Sequence, residues 1–212
     1  MDTHTNVEHF TSLLLAMDRL GAEKMLSAAG KKGQSIELLE QIIVPSLEQI
    51  GSGWNQGKIA LSQVYMSGRI CEQLVDTFLP PSSPERTDQP TMAIALLEDY
   101  HSLGKTIVYS ALRASGYELH DYGRVSVAEL VRRAQQDSIR ILLISTLMLR
   151  SALLVKQVKE QLVHNSPSVK IVVGGAPFRF DTQLWTDVGA DAMGATAADA
   201  IKIIRGMTEE LA

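Results

Sequence analysis

The sequence predicts an α/β protein: a helical N-terminal part, then a doubly wound sheet of five parallel strands. Three observations predict it. Up to about residue 79 the apolar residues recur at helical spacing. Residues 80–90, PPSSPERTDQP, mix prolines with polar residues and show no period, as a linker does. From residue 91 onward, short apolar runs alternate with amphipathic segments, the pattern of successive βαβ units. The 212 residues therefore divide into a helical domain over 1–80, a linker over 81–90 and an α/β domain over 91–212.

In the first part, VEHFTSLLLAMDRL carries Phe10, Leu13, Leu14, Met17 and Leu20 on one helix face. AEKMLSAAGKKG predicts a second helix, stopped by Gly30 and Gly33. A third spans 34–51, with Pro45 expected to kink or restart it. Gly51, Gly53 and Gly57 predict a loop around Trp54, and a fourth helix runs from 60 to 79. Four helices of this size enclose only a thin core.

In the second part the strands are TMAIALL, YELHDYG, IRILLIS, VKIVVGG and DAMG. The helices between and after them are GKTIVYSALRASG, VSVAELVRRAQQD, SALLVKQVKEQLV, DTQLWTDV and AADAIKIIRGM. IRILLI and VKIVV are unbroken apolar runs, as strands buried on both faces require. Five such units predict an open Rossmann-like sheet of the flavodoxin type.

Composition narrows the function. With 45% hydrophobic and 21% charged residues the chain is an ordinary globular one, and a net charge of −4 supplies no basic surface for nucleic acid. Cys71 is the only cysteine, which excludes an internal disulfide and a thiolate cluster. The start, MDTHTNVEHF, lacks the charged and apolar regions of a signal peptide, and no apolar run approaches the roughly 20 residues of a membrane span. The expected location is the cytoplasm.

In a sheet of this type a ligand binds beyond the C-terminal ends of the strands, where the strand order reverses. The unusual residues fall there: Asp99 and His101 after strand one, Ser145 and Ser151 around the end of strand three, Gly174 and Gly175 after strand four. Taken singly, Asp-x-His is most often an Asx turn and Gly-Gly an ordinary turn. Together, on three strands that this order makes adjacent, they describe one crevice. A carboxylate beside an imidazole suits a metal ligand whose other ring N–H is held in place, and Ser151 could bond that carboxylate. One imidazole and one carboxylate are too few for zinc or iron, even with His120 from strand two as a further candidate. A single imidazole suffices for a metal that brings its other ligands with it.

At this point the residues resemble a family. Asp99-Tyr100-His101-Ser102-Leu103-Gly104 is similar to the Asp-x-His-x-x-Gly motif of cobalamin-binding domains, Ser145-Thr146-Leu147 to their Ser-x-Leu, and Gly174-Gly175 to their Gly-Gly. The helical part resembles the cap that covers the corrin ring, as in the cap and cobalamin modules of cobalamin-dependent methionine synthase. The whole resembles a stand-alone corrinoid protein of methyltransferase systems.

The resemblance implies that cobalamin binds with its own base displaced and His101 as the lower axial ligand of cobalt. Asp99 would accept from His101, and Ser151 would complete a triad. Ser145 would bond the buried nucleotide base, with Leu147 alongside. Ser102, Leu103, Gly104, Val108, Gly174, Gly175 and Ala176 would line the cofactor site, and Gly194 and Ala195 would approach the tail. In the cap, Tyr65 and Met66 would reach the upper face. They stand where light-sensing relatives carry Glu-His, which argues for an exchangeable methyl or water ligand; the other reading makes them core residues of helix four. Trp54 would cover the ring edge or anchor a loop.

The implied function is a methyl carrier between a substrate-specific methyltransferase and a second, pterin-dependent one, kept active by a corrinoid reductive activator. The alternative is a cobalamin-dependent sensor module without a DNA-binding domain of its own. A mutase small subunit would not need the helical part. A phosphoacceptor receiver would need an aspartate where Ser145 stands.

Overall fold

The computed structural model describes residues 3–29, 35–78, 89–165 and 168–211. The chain forms two compact units, Met1–Arg86 with Thr106–Tyr117, and Thr87–Lys105 with Glu118–Ala212. Most of the linker segment, and Gly30 and Gly33, lie outside the described residues.

The first unit contains α1 (Thr3–Leu15), α2 (Arg19–Ala29), α3 (Ser35–Asn55) and α4 (Leu61–Phe78). Phe10 and Leu14 of α1, Ile42, Ile43, Leu47 and Ile50 of α3, and Val64 and Leu74 of α4 are buried. α1 ends earlier than its apolar period suggests. Met17 adopts φ +60°, and Asp18 accepts from the Gly21 N–H at 2.9 Å, which starts α2. Met17 and Leu20 are therefore exposed rather than on the buried face of the first helix.

α3 departs from the expected pattern twice. It does not restart at Pro45 but runs on through it as one helix. It also continues past Gly51 to Asn55 instead of opening a loop there. A Cβ at Gly53 would lie 2.5 Å from Ile59 Cδ1, so this glycine serves close packing and not a turn.

The second unit holds β1 (Met92–Leu97), β2 (His120–Val125), β3 (Ile141–Ser145), β4 (Lys170–Gly174) and β5 (Ala192–Gly194), in the order β2-β1-β3-β4-β5. Every pairing is parallel, as expected. All six residues of β1 are buried, so both faces of the sheet are covered. One face packs Ala93, Ala95, Leu97, Leu142, Ile144, Ile171 and Val173 against residues of α6 (Val127–Gln136) and α8 (Val155–Asn165). Each large aliphatic side chain buried in this way contributes about 1.5–3 kcal/mol. α6 begins at Ser126, whose hydroxyl accepts from the Glu129 N–H.

β2 begins three residues later than its apolar pattern indicates. Gly123, which reads as the strand's end, instead sits inside it at φ +64°, where the register against Ile94 and Leu96 shifts. It is a bulge residue. The expected single helix after β3 is two: α7 (Leu149–Leu153) and α8. The remaining helices are α5 (Leu103–Ala114), α9 (Ala176–Phe180), α10 (Leu184–Asp187) and α11 (Ala197–Leu211). Among the described residues, no helix is long and apolar enough to cross a membrane.

Candidate functional site

Asp99 stands two residues beyond the end of β1 and is 2% exposed. A buried carboxylate needs partners, and five N–H groups converge on it. Its Oδ1 accepts from the backbone N–H of Tyr100 (2.7 Å), that of His101 (3.1 Å) and His101 Nδ1 (2.8 Å). Its Oδ2 accepts from the backbone N–H of Leu147 (2.7 Å) and of Met148 (2.9 Å), just past β3. Burial alone would raise its pKa. The hydrogen bonds from His101, Leu147 and Met148 outweigh this and hold the carboxyl well below the usual carboxylate range.

An ionised carboxylate can only accept, so Nδ1 of His101 carries a proton, and in the neutral ring Nε2 then holds the lone pair. The imidazole is 55% exposed although its carboxylate partner is almost fully buried. This leaves one nitrogen ligand, fixed in tautomer and reachable from outside. Among the described residues no three His, Cys, Asp or Glu side chains come together as a metal site. His120 offers no second ligand: it opens β2 opposite Ala93, at the far end of the sheet from Asp99.

Ser145 ends β3, in register with Leu96 of β1 and Gly174 of β4. A Cβ on Gly104, the second residue of α5, would lie 3.6 Å from Ser145 Oγ. The same construction at Gly174 meets the Gly194 carbonyl at 3.1 Å. At Gly175 it meets the Thr146 carbonyl at 1.7 Å, and φ there is +121°, so no residue with a side chain fits. Ala176 opens α9 directly after, half-buried. Gly194 is also half-buried, and Ala195 is exposed. Ser102 and Leu103 are half-buried between His101 and Gly104, and Val108 is half-buried further along α5. Leu147 is exposed beside the carboxylate it helps to hold.

One expected contact is replaced by another. The Ser151 hydroxyl does not bond Asp99; it donates to the Glu98 carbonyl at 3.2 Å. Asp99 already has five donors and no acceptor site to spare. In the first unit, Tyr65 and Met66 are 45% and 38% exposed on α4, so they are not core residues. Trp54 is exposed as well.

Three features escaped sequence reasoning. Glu98 has φ +44°, rare for a non-glycine residue. The Arg124 guanidinium lies 4.0 Å from the ring centre of Tyr100, which is 78% exposed. The Thr146 hydroxyl is buried with no hydrogen-bond partner among the described residues. An Arg directly after Asp121-Tyr122-Gly123 gives no signal of the second feature, and a Thr inside a Ser-x-Leu match gives none of the third.

Residues 91–205 match a family model described as the B12 binding domain, and residues 7–78 match a second model of the same description. The chain belongs to the B12-binding family. It is 30% identical over 196 residues to trimethylamine corrinoid protein 1 of Methanosarcina mazei, covering 89% of each chain. It is also 30% identical over 190 residues to dimethylamine corrinoid protein 3 of Methanosarcina acetivorans, covering 84% of this chain and 87% of that one. Among solved structures, the monomethylamine corrinoid protein of Methanosarcina barkeri superposes with a TM-score of 0.67 at 22% identity, over 97% of this chain and 100% of that one. A cobalamin-binding protein of Desulfitobacterium hafniense gives the same TM-score at 21% identity, over 97% and 98%. A methanol:cobalamin methyltransferase complex of Methanosarcina barkeri gives 0.59 at 22% identity, over 97% of this chain and 80% of that one.

Cobalamin is thus the cofactor of this B12-binding chain, and its residues fit that group. A corrin brings the metal's other nitrogens with it, so a single imidazole such as that of His101 would suffice where a bare ion would need more side chains. At Gly174 and Gly175 a Cβ would run into the Gly194 and Thr146 carbonyls, so these glycines let the chain's own backbone segments pack closely at the strand ends.

Proposed function

We propose that this chain is a methyl-carrying corrinoid protein that binds cobalamin with its own base displaced and His101 Nε2 in its place. It would receive a methyl group from a substrate-specific methyltransferase and pass it to a second, pterin-dependent methyltransferase, with a reductive activator restoring the cofactor. The observation that carries this reading is the Asp99–His101 unit: one imidazole, its tautomer set by a 2.8 Å bond to a buried carboxylate and its other nitrogen left without a partner among the described residues. The curated relatives, named as methylamine corrinoid proteins, support the carrier role.

Bound cobalamin would supply a cobalt centre able to accept and give up a methyl group, which no side chain of the chain can do. The protein's part is to bind, orient and tune. His101 would offer the axial nitrogen, and Asp99 would hold its ring and raise its basicity. Ser145, beside Gly104, would bond the displaced base, with Leu147, Ser102, Leu103 and Val108 nearby. Gly174, Gly175, Ala176, Gly194 and Ala195 would give the tail backbone to lie against. Tyr65 and Met66, exposed on α4, would face the upper side of the ring and leave the sixth position exchangeable.

The test is a single-turnover assay. The reconstituted protein is reduced anaerobically, charged with isotopically labelled methyl iodide, and freed of excess reagent. A carrier retains the label stoichiometrically and releases it on addition of an acceptor methyltransferase. Failure to take up label, or loss of label at the same rate without any partner, counts against the proposal.

A further inference from the structure

Arg124 stands where a regular strand would require an apolar residue. Tyr122 and Val125 of β2 both belong to the core that α6 and α8 cover. Without interruption of the strand, residue 124 would share that face with Tyr122. The bulge at Gly123 inserts one residue and turns Arg124 outward, where it is exposed. The bulge is itself pinned. Asp121 Oδ1 accepts from the Gly123 N–H at 2.8 Å, and the buried Lys105 ammonium donates to Oδ2.

The guanidinium so aimed lies over the Tyr100 ring, 4.0 Å from its centre. Among the described residues it makes no hydrogen bond and no ion pair. A guanidinium held over an aromatic face keeps its N–H groups available to an oxygen acceptor. Tyr100 stands between Asp99 and His101, and the side chains of this loop divide. That of Asp99 reaches the N–H groups past β3, and that of Tyr100 sits under Arg124 of β2. Consecutive Cα atoms are about 3.8 Å apart, so the guanidinium borders the β2 side of whatever the His101 imidazole binds. A corrin over His101 is ringed by acetamide and propionamide side chains, each with a carbonyl oxygen.

We infer that Arg124 is a cofactor-binding residue, donating from its place over Tyr100 to carboxamide oxygens along the corrin edge. The inference rests on the proposed reading of His101 as the axial ligand. Cobalamin offers a guanidinium one other strong acceptor, the phosphate of its nucleotide tail. The tail is proposed to lie by Gly174 of β4 and Gly194 of β5. In the order β2-β1-β3-β4-β5, Arg124 is at the opposite edge of the sheet.

The test uses two corrinoids, cobalamin and cobinamide, which share the amide-bearing ring while cobinamide lacks the phosphate and the base. Cofactor-free wild type and Arg124→Ala are titrated anaerobically with the Co(II) form of each. Absorbance reads the affinity, and electron paramagnetic resonance reads imidazole coordination in the bound fraction. Arg124→Ala should bind both corrinoids about ten-fold more weakly, the loss of one hydrogen bond from a charged donor. The bound fraction should keep the nitrogen coupling of wild type. Unchanged affinity for both overturns the inference. So does a loss confined to cobalamin, which assigns Arg124 to the phosphate. A fall in imidazole coupling also overturns it, because the pair would then serve only to moor the His101 loop. Should Arg124→Ala fold poorly, Arg124→Met, which keeps an unbranched apolar stem on the ring, decides by the same three readings. Wild type without imidazole coupling is the failure of the His101 reading, seen before any variant is compared. Failure of the present inference leaves that wild-type coupling intact.

Discussion

Asp99 spends its whole accepting capacity on five N–H groups, two of them from the loop after β3 and one from the imidazole it serves. Removing it would leave those donors without their acceptor, at about 1–3 kcal/mol for each that water cannot reach. Asp99→Ala should therefore lower the denaturation free energy by at least about 3 kcal/mol in urea titration. The pH dependence has a definite sign. Its pKa is lower folded than unfolded, so its stabilisation is present above the unfolded value near 4 and is lost as pH falls toward the folded one. The stability gap between wild type and Asp99→Asn should be constant above about pH 5 and narrow below about pH 4. His101→Ala should leave the fold and cofactor binding in place while the absorption spectrum reports loss of the axial nitrogen.

Two glycines with positive φ differ in what surrounds them, and the difference is measurable in the elements they belong to. At the β2 bulge, nothing lies within 4 Å of a Cβ on Gly123, so Gly123→Ala should cost only the conformational penalty, about 1–2 kcal/mol by thermal or chemical denaturation. At the β4–α9 junction, Gly175→Ala drives a methyl into the Thr146 carbonyl and should abolish cofactor binding or folding. The contrast also explains what could be read in advance. MAIALL, ILLIS and KIVVG announce themselves because a parallel strand buried on both faces must be apolar throughout. β2 does not: it lies at the sheet edge with exposed His120, Asp121 and Arg124, and its glycine mimics a terminus. The Asp-x-His pair was legible because side-chain chemistry carried it. The turn at Glu98 and the N–H groups of Leu147 and Met148 were not, since backbone conformation at a non-glycine residue leaves no mark in the sequence. For the same reason the partner of Ser151 was misread by one residue.

For the molecule as a whole, the proposal requires movement. A ring shielded on its upper face would have to be uncovered to meet a methyl donor, and the linker that the sequence predicts over residues 80–90, most of it outside the described residues, is where that requirement is tested. Shortening it should slow methyl transfer far more than it weakens cobalamin binding; equal loss of both would show that it serves assembly of the site instead. The most direct test of the central claim is electron paramagnetic resonance of the Co(II) form, prepared once from ordinary protein and once from protein carrying 15N-labelled histidine. His101 ligation predicts that the nitrogen splitting of the high-field lines changes from triplets to doublets on labelling. Splitting that labelling leaves unaltered would assign the axial nitrogen to the cofactor's own base and contradict the account.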